Sequence, residues 1–185
     1  RDRLRSRGLG DVYKRQAEIT RCVLERDDKV RILDADALNI IAGEHIDYKG
    51  SREGQIIITP HIMEMSRLTG KTVADIKEHM IESAKEYAIQ HSCICILKDA
   101  RTVVTDGQKV YINCTGNDGM STGGCGDVLT GLIAGMTAMG LDAFEAACLS
   151  VYVHGKAGEY AASGKGRAGM TAADISEAIA YVLKR

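Results

Sequence analysis

The stretch Thr115-Gly116-Asn117-Asp118-Gly119-Met120-Ser121-Thr122-Gly123-Gly124-Cys125-Gly126-Asp127-Val128-Leu129-Thr130-Gly131 crowds glycines, small hydroxyls and carboxylates ahead of an apolar segment. Glycine accepts positive φ and lets the backbone approach a ligand with no Cβ in between, which suits an anion site. From Asp127 onward the pattern is helical, with Val128, Leu129, Leu132, Ile133, Met136 and Met139 at the spacing of one buried face. Gly124 to Asp127 are therefore expected to form the helix N-terminus. Unpaired N–H groups and a partial positive charge there hold phosphate oxygens, so Gly123, Gly124 and Cys125 read as an anion hole.

Asp127 is a poor phosphate ligand because it would repel the anion. It is better suited to take a proton from a hydroxyl attacking that phosphate. A plain helix cap is the competing reading, but a cap does not require so many glycines. A Walker loop is excluded because no lysine follows Gly126, and a dinucleotide fingerprint because Leu129 stands where a third glycine is needed.

Outward from this stretch, two apolar runs read as buried strands. Val30-Arg31-Ile32-Leu33 ends at Asp34 and Asp36, and Gln55-Ile56-Ile57-Ile58-Thr59 ends at Pro60, the only proline, followed by His61. Apolar residues on both faces predict a parallel sheet covered by helices on each side, with ligands at the strands' C-terminal ends. Asp34 and Asp36 at that edge face a metal or a substrate hydroxyl, or else shape a loop; both readings stand. His61 shares the edge and reads as a ligand residue. A third strand, Cys93-Ile94-Cys95-Ile96-Leu97, delivers Lys98-Asp99-Ala100-Arg101-Thr102 to the same place, where cations neutralise nucleotide phosphates. Asp106-Gly107 marks a hairpin between residues 102–105 and 109–112.

The remaining segments read as scaffold. Helices are expected from Ala17 to Arg26, from Thr72 through Tyr87 with a capping box at Thr72 and Asp75, from Asp142 to about Ala162, and from a capping box at Thr171 and Asp174. His154 falls near the buried stripe of the third of these and reads as a packed core histidine. The six cysteines show no Cys-x-x-Cys and no paired histidines, so they read as free thiols rather than metal ligands. A net charge of −1, 4% aromatic residues and no tryptophan argue against a nucleic-acid surface. There is no membrane-length apolar run and no signal-peptide pattern, so a cytoplasmic protein is expected. Residues 1–16 carry six of the 24 basic residues without apolar periodicity; they are expected to be non-native or disordered, with residues 17–185 forming one domain.

The run Ser121-Thr122-Gly123-Gly124-Cys125-Gly126-Asp127-Val128-Leu129 resembles the Gly-x-Gly-Asp signature of ribokinase-like kinases and is most similar to their NAD(P)H-hydrate dehydratase branch. Leu33-Asp34-Ala35-Asp36-Ala37-Leu38-Asn39, Ile58-Thr59-Pro60-His61-Ile62-Met63-Glu64-Met65 and Val151-Tyr152-Val153-His154-Gly155-Lys156-Ala157-Gly158 match the same branch in the same order. The resemblance runs from about Ala17 to the C-terminus. It implies a ribokinase-like three-layer α/β/α fold with a mainly parallel sheet, its N-terminal part missing from this chain.

The resemblance further implies an enzyme that uses ADP, favoured over ATP, with Mg²⁺ to dehydrate the (S)-epimer of hydrated NADH or NADPH (NADHX, NADPHX). AMP (or ADP) and phosphate would be released. Asp127 would be the base and would contact the hydrate, as would His61; Gly126 and the segment Lys98, Asp99, Ala100, Arg101, Thr102 would contact the nucleotide. Asp99 stands where the family has glycine. A homo-oligomer, and an NAD(P)H-hydrate epimerase as separate or fused partner, are implied too. An isolated chain lacking the further strands ahead of Asp34 can be inactive. A ribokinase-like small-molecule kinase, for a vitamin precursor or a sugar, and a non-catalytic nucleotide-binding module are the alternatives; the Thr59-Pro60-His61 and Glu64 context favours the dehydratase.

Overall fold

In the computed structural model, residues 2–26, 28–51 and 55–184 are described, with side chains from Tyr13 onward. Five strands form one sheet in chain order: β1 (Arg31–Leu33), β2 (Ile56–Ile58), β3 (Ile94–Leu97), β4 (Val103–Thr105) and β5 (Val110–Ile112). The pairings β1 to β2 and β2 to β3 are parallel; β3 to β4 and β4 to β5 are antiparallel. The parallel half thus has its C-terminal ends together, and the hairpin returns alongside β3. Its turn holds Gly107 at φ 97°, as the Asp-Gly pair predicts.

Alternate strand residues feed two cores. Ile56 and Ile58 pack with Leu33, Leu38, Met65 and Leu97 beneath α2 (Asp36–Gly43), α3 (Ile62–Thr69), α4 (Val73–Glu78) and α5 (Met80–His91). Ile57, Ile94, Ile96 and Val104 face the other way, onto Leu129 and Ile133 of α6 (Cys125–Ala138) and Ala147 and Val151 of α7 (Ala143–Lys165). Both cores follow from the period-two geometry of a strand buried on both faces. The closing helix α8 (Ala172–Leu183) docks through Ile175 and Ala178 onto Ala157 and Ala161 of α7. Three layers result.

Several expected boundaries move. The first helix, α1, runs over Asp2–Leu24 rather than starting at Ala17; Gln16 donates to Asp36 at 3.3 Å. The single helix expected after Thr72 breaks at His79 (φ −124°, ψ 49°) into α4 and α5. At its start only Thr72 accepts, from the Asp75 amide at 3.2 Å, which is half a capping box. At Thr171 the amide donates to Asp174 at 2.8 Å. Met139 is 77% exposed because α6 ends one residue earlier and Met139 becomes its C-cap.

Candidate functional site

Pro60 has no N–H to continue the β2 ladder, yet its carbonyl accepts from the Lys98 amide at 2.8 Å. A parallel bridge between His61 and Lys98 follows, in the register of the β2 and β3 pairing and three residues beyond Ile58 and Cys95. The two side chains therefore leave neighbouring strands at the same level of the sheet edge. His61 is the N-cap of α3: its Nδ1 accepts from the Glu64 amide at 3.1 Å, and the Glu64 carboxylate accepts from the His61 amide at 2.8 Å. With Nδ1 accepting, the ring proton sits on Nε2, 3.4 Å from the other Glu64 oxygen. Glu64 is 5% exposed, so the capping box fixes the ring while half of it stays open to solvent.

Across the edge, Gly124 (φ 88°) is the N-cap that turns the chain into α6. Val128 makes the first full helical bond, to the Gly124 carbonyl at 3.1 Å, so the Gly126 and Asp127 amides have no intrahelical acceptor. A Cβ on Gly126 would lie 3.3 Å from Asp34 Oδ2 and 3.7 Å from Lys98 Nζ. Asp34 accepts from Lys98 Nζ at 2.8 Å and from the Thr130 hydroxyl at 3.2 Å. Burial, the largest single influence, works against its charge, but the Lys98 hydrogen bond and charge, together with hydrogen bonds from the Thr59 side chain and the Ala35 backbone, hold the carboxyl below its ordinary value.

A cavity of about 860 Å³ opens at this edge. His61, residues 98–102, Cys125 and Gly126 line it. Asp127 lies in the first turn of α6 and is exposed, but it is not part of the cavity wall; nor are Gly123, Gly124, Asp34 or Asp36. Asp34 sits behind Lys98, and Asp36 is exposed beside Gln16. Arg101 reaches out to the Cys114 carbonyl at 3.4 Å, and the Thr102 hydroxyl caps its own turn on the Asp99 carbonyl at 3.2 Å.

The opposite wall is legible as a ligand surface only in part: the glycine-rich stretch from Thr115 reads as an anion site, the α7 residues do not. The loop from Asn113 to Thr122 and the α7 residues Val151, His154 and Gly155 form it. The loop is stapled to α7: Thr115 Oγ1 donates to the Tyr152 carbonyl at 3.1 Å, the Gly116 amide to Glu159 at 3.1 Å, and Asn117 Nδ2 to the Gly158 carbonyl at 3.0 Å. Gly155 and Gly158, one helical turn apart, permit this close approach. A Cβ at Gly155 would sit 2.8 Å from the Thr115 carbonyl carbon. That glycine spacing was the signal available in the sequence.

His154 is buried, as a packed histidine should be, but it also lines the cavity. Its Nε2 has no hydrogen-bond partner among the described residues. Burial pushes its pKa down to about 4, against a hydrogen bond to the Cys125 backbone and with help from the Lys98 charge. The ring is neutral at physiological pH. Among the described residues no group of three His, Cys, Asp or Glu is placed to hold a metal ion, and no helix is long and apolar enough to cross a membrane.

A parallel-sheet edge that faces a glycine-opened helix turn, with a cation and a carboxylate beside it, defines a ribokinase-like α/β protein, and solved ribokinase-like structures superpose on it. A family described as NAD(P)H-hydrate dehydratase matches residues 7–181, and the chain belongs to that family. It is 44% identical over 169 residues to a bifunctional NAD(P)H-hydrate repair enzyme of Moorella thermoacetica, covering 90% of this chain and 32% of the relative. It is 33% identical over 182 residues to an ADP-dependent (S)-NAD(P)H-hydrate dehydratase of Neisseria meningitidis, covering 96% and 61%. The ADP/ATP-dependent NAD(P)H-hydrate dehydratase of Bacillus subtilis, crystallised with ATP and Mg²⁺ and soaked with CoA, superposes with a TM-score of 0.78 at 34% identity, covering 88% of this chain and 58% of that one. The chain thus spans about a third of the first relative and about three-fifths of the other two.

Proposed function

We propose that this chain provides the nucleotide site and the general base of an enzyme that dehydrates the (S)-epimer of hydrated NADH and NADPH, with ADP favoured over ATP as phosphoryl donor. The observation that carries the reading is the α6 N-terminus: Gly126 and Asp127 open it beside Lys98 and across from His61, in a chain of this family.

The α6 amides and Lys98 hold the nucleotide phosphates. The substrate's ring hydroxyl attacks the terminal phosphorus and gives its proton to Asp127, which stands at the helix turn beside the anion. The bond from phosphorus to the leaving AMP (or ADP) breaks as the new oxygen–phosphorus bond forms. Phosphate then departs with the carbon–oxygen pair, and a neighbouring ring proton passes to water as the double bond is restored. His61, held by Glu64, presents its Nε2–H toward the hydrate. Positioning and charge stabilisation supply most of the rate.

Mg²⁺ suits this site as a companion of the nucleotide, because it is usually held by one or two carboxylates together with substrate phosphates rather than by a protein cage. Asp99 and Asp118 are the carboxylates that line the cavity, with Asp127 exposed on the first turn of α6, and the ion would neutralise phosphate charge. The test follows the return of nicotinamide absorbance when hydrated NADH is mixed with the protein, Mg²⁺ and ADP or ATP. Recovery that needs nucleotide and is abolished by Asp127→Asn is expected. A folded protein that binds nucleotide and restores no absorbance overturns the reading.

A further inference from the structure

Asp34 follows β1 directly, Lys98 follows β3 directly, and Thr130 lies on α6 one turn beyond the glycine-opened start. One carboxylate joins all three: Oδ1 to the ammonium at 2.8 Å and Oδ2 to the hydroxyl at 3.2 Å. The Asp34 and Lys98 side chains are 13% and 23% exposed, so solvent screens the contact far less than it would a surface pair. Lysine carries a compact charge on a stem of four rotatable bonds and finds a fixed position only if something holds it. Here the holder lies outside the cavity wall and the held ammonium lies on it. Gly126 has just enough room: a Cβ there would touch both Asp34 Oδ2 at 3.3 Å and Lys98 Nζ at 3.7 Å.

We propose that Asp34 is a positioning residue: it fixes the Lys98 ammonium and the Thr130 hydroxyl against the Gly126 turn, so that an incoming polyphosphate meets a cation already in place. This rests on the dehydratase reading, which it deepens. Asp34 touches no reacting atom; it acts through Lys98. A Cβ at residue 126 would press on the Asp34 carboxylate and meet the Lys98 ammonium at ordinary contact distance, so the Gly126 turn and the ion pair behind it are packed together.

The test is a double-mutant cycle in the protein, with Asp34→Asn, Lys98→Met and the pair. The readouts are kcat and KM for ADP, calorimetric ADP affinity and melting temperature. Lys98→Met should lower kcat/KM for nucleotide by about 100-fold and Asp34→Asn by about 10-fold, because misplacing a positioned group is costly. In the Lys98→Met background, Asp34→Asn should cost no further activity, although it still lowers the melting temperature. A merely structural carboxylate would cost the same factor in both backgrounds, and that outcome overturns the proposal. Unchanged kcat/KM and ADP affinity in folded Asp34→Asn also overturns it. If Asp34→Asn does not fold, Asp34→Glu keeps the charge and displaces it; its several-fold loss should vanish with Lys98→Met, and a loss that persists refutes the role. A parent that binds ADP but restores no NADH sinks the dehydratase reading alone, since the cycle is then scored on affinity. A parent that binds no nucleotide sinks both.

Discussion

Replacing His154 by leucine is expected to flatten the acid limb of the stability curve. The imidazole is 9% exposed, Nε2 is unpartnered, and burial holds its pKa at about 4 rather than the ordinary 6.5. A base whose folded pKa is depressed leaves the unfolded chain binding the proton first, so stability is complete above the unfolded value and falls as pH drops from 6.5 toward 4. Each unit of difference corresponds to about 1.4 kcal/mol, so the full loss is roughly 3 kcal/mol, about 2 of it between about pH 7 and pH 4.5. The groups that face the ring are the Cys125 carbonyl and the Lys98 ammonium. Asp34, Asp174 and Glu159 are held below their ordinary values of 3.8, 3.8 and 4.5, so their losses fall mainly below those values, at the acid end of the window or beyond it. Urea unfolding across this range, for the parent and for His154→Leu, reads the difference. An acid slope equally steep in the variant refutes the assignment of that proton to His154.

Other variants test the packing of the loop and the thiols. Gly155→Ala should be worse than Gly158→Ala: the first pushes on the Thr115 backbone, while the second meets the flexible Met120 side chain, sulfur first, which can turn away at a cost of about 1 to 3 kcal/mol. Melting temperature and nucleotide affinity should fall in that order, and the reverse order would show that the loop is not clamped on α7. Alkylation under native conditions should label Cys22 and Cys114, which are exposed, well before Cys93 and Cys95, the former pushed up to about 12 by burial. Peptide mapping that finds Cys95 among the first labelled residues would contradict a β3 buried on both faces.

The parts of the site legible in the sequence are those whose chemistry is local. A glycine cluster before an apolar 3.6-period segment can only be a helix start, and Gly124 and Cys125 are found there. An apolar run closed by the lone proline can only be a strand end, and it places His61 beside Lys98. The other wall depends on contacts between residues about 40 apart, such as Gly116 with Glu159 and Asn117 with Gly158, and no local period encodes those. His154 shows why: its place in the α7 stripe correctly marks it as buried, yet burial and cavity lining are compatible when two glycines on the same helix let a loop lean in and leave a hollow beside the ring. Asp34 shows the converse. Its type and position mark it as an acid at a ligand edge, but Lys98 and Thr130, 64 and 96 residues away, take both of its oxygens. A carboxylate so engaged acts on the ligand only through the cation it holds, and that makes Lys98, rather than Asp34, the group that a phosphate at the Gly126 turn would meet.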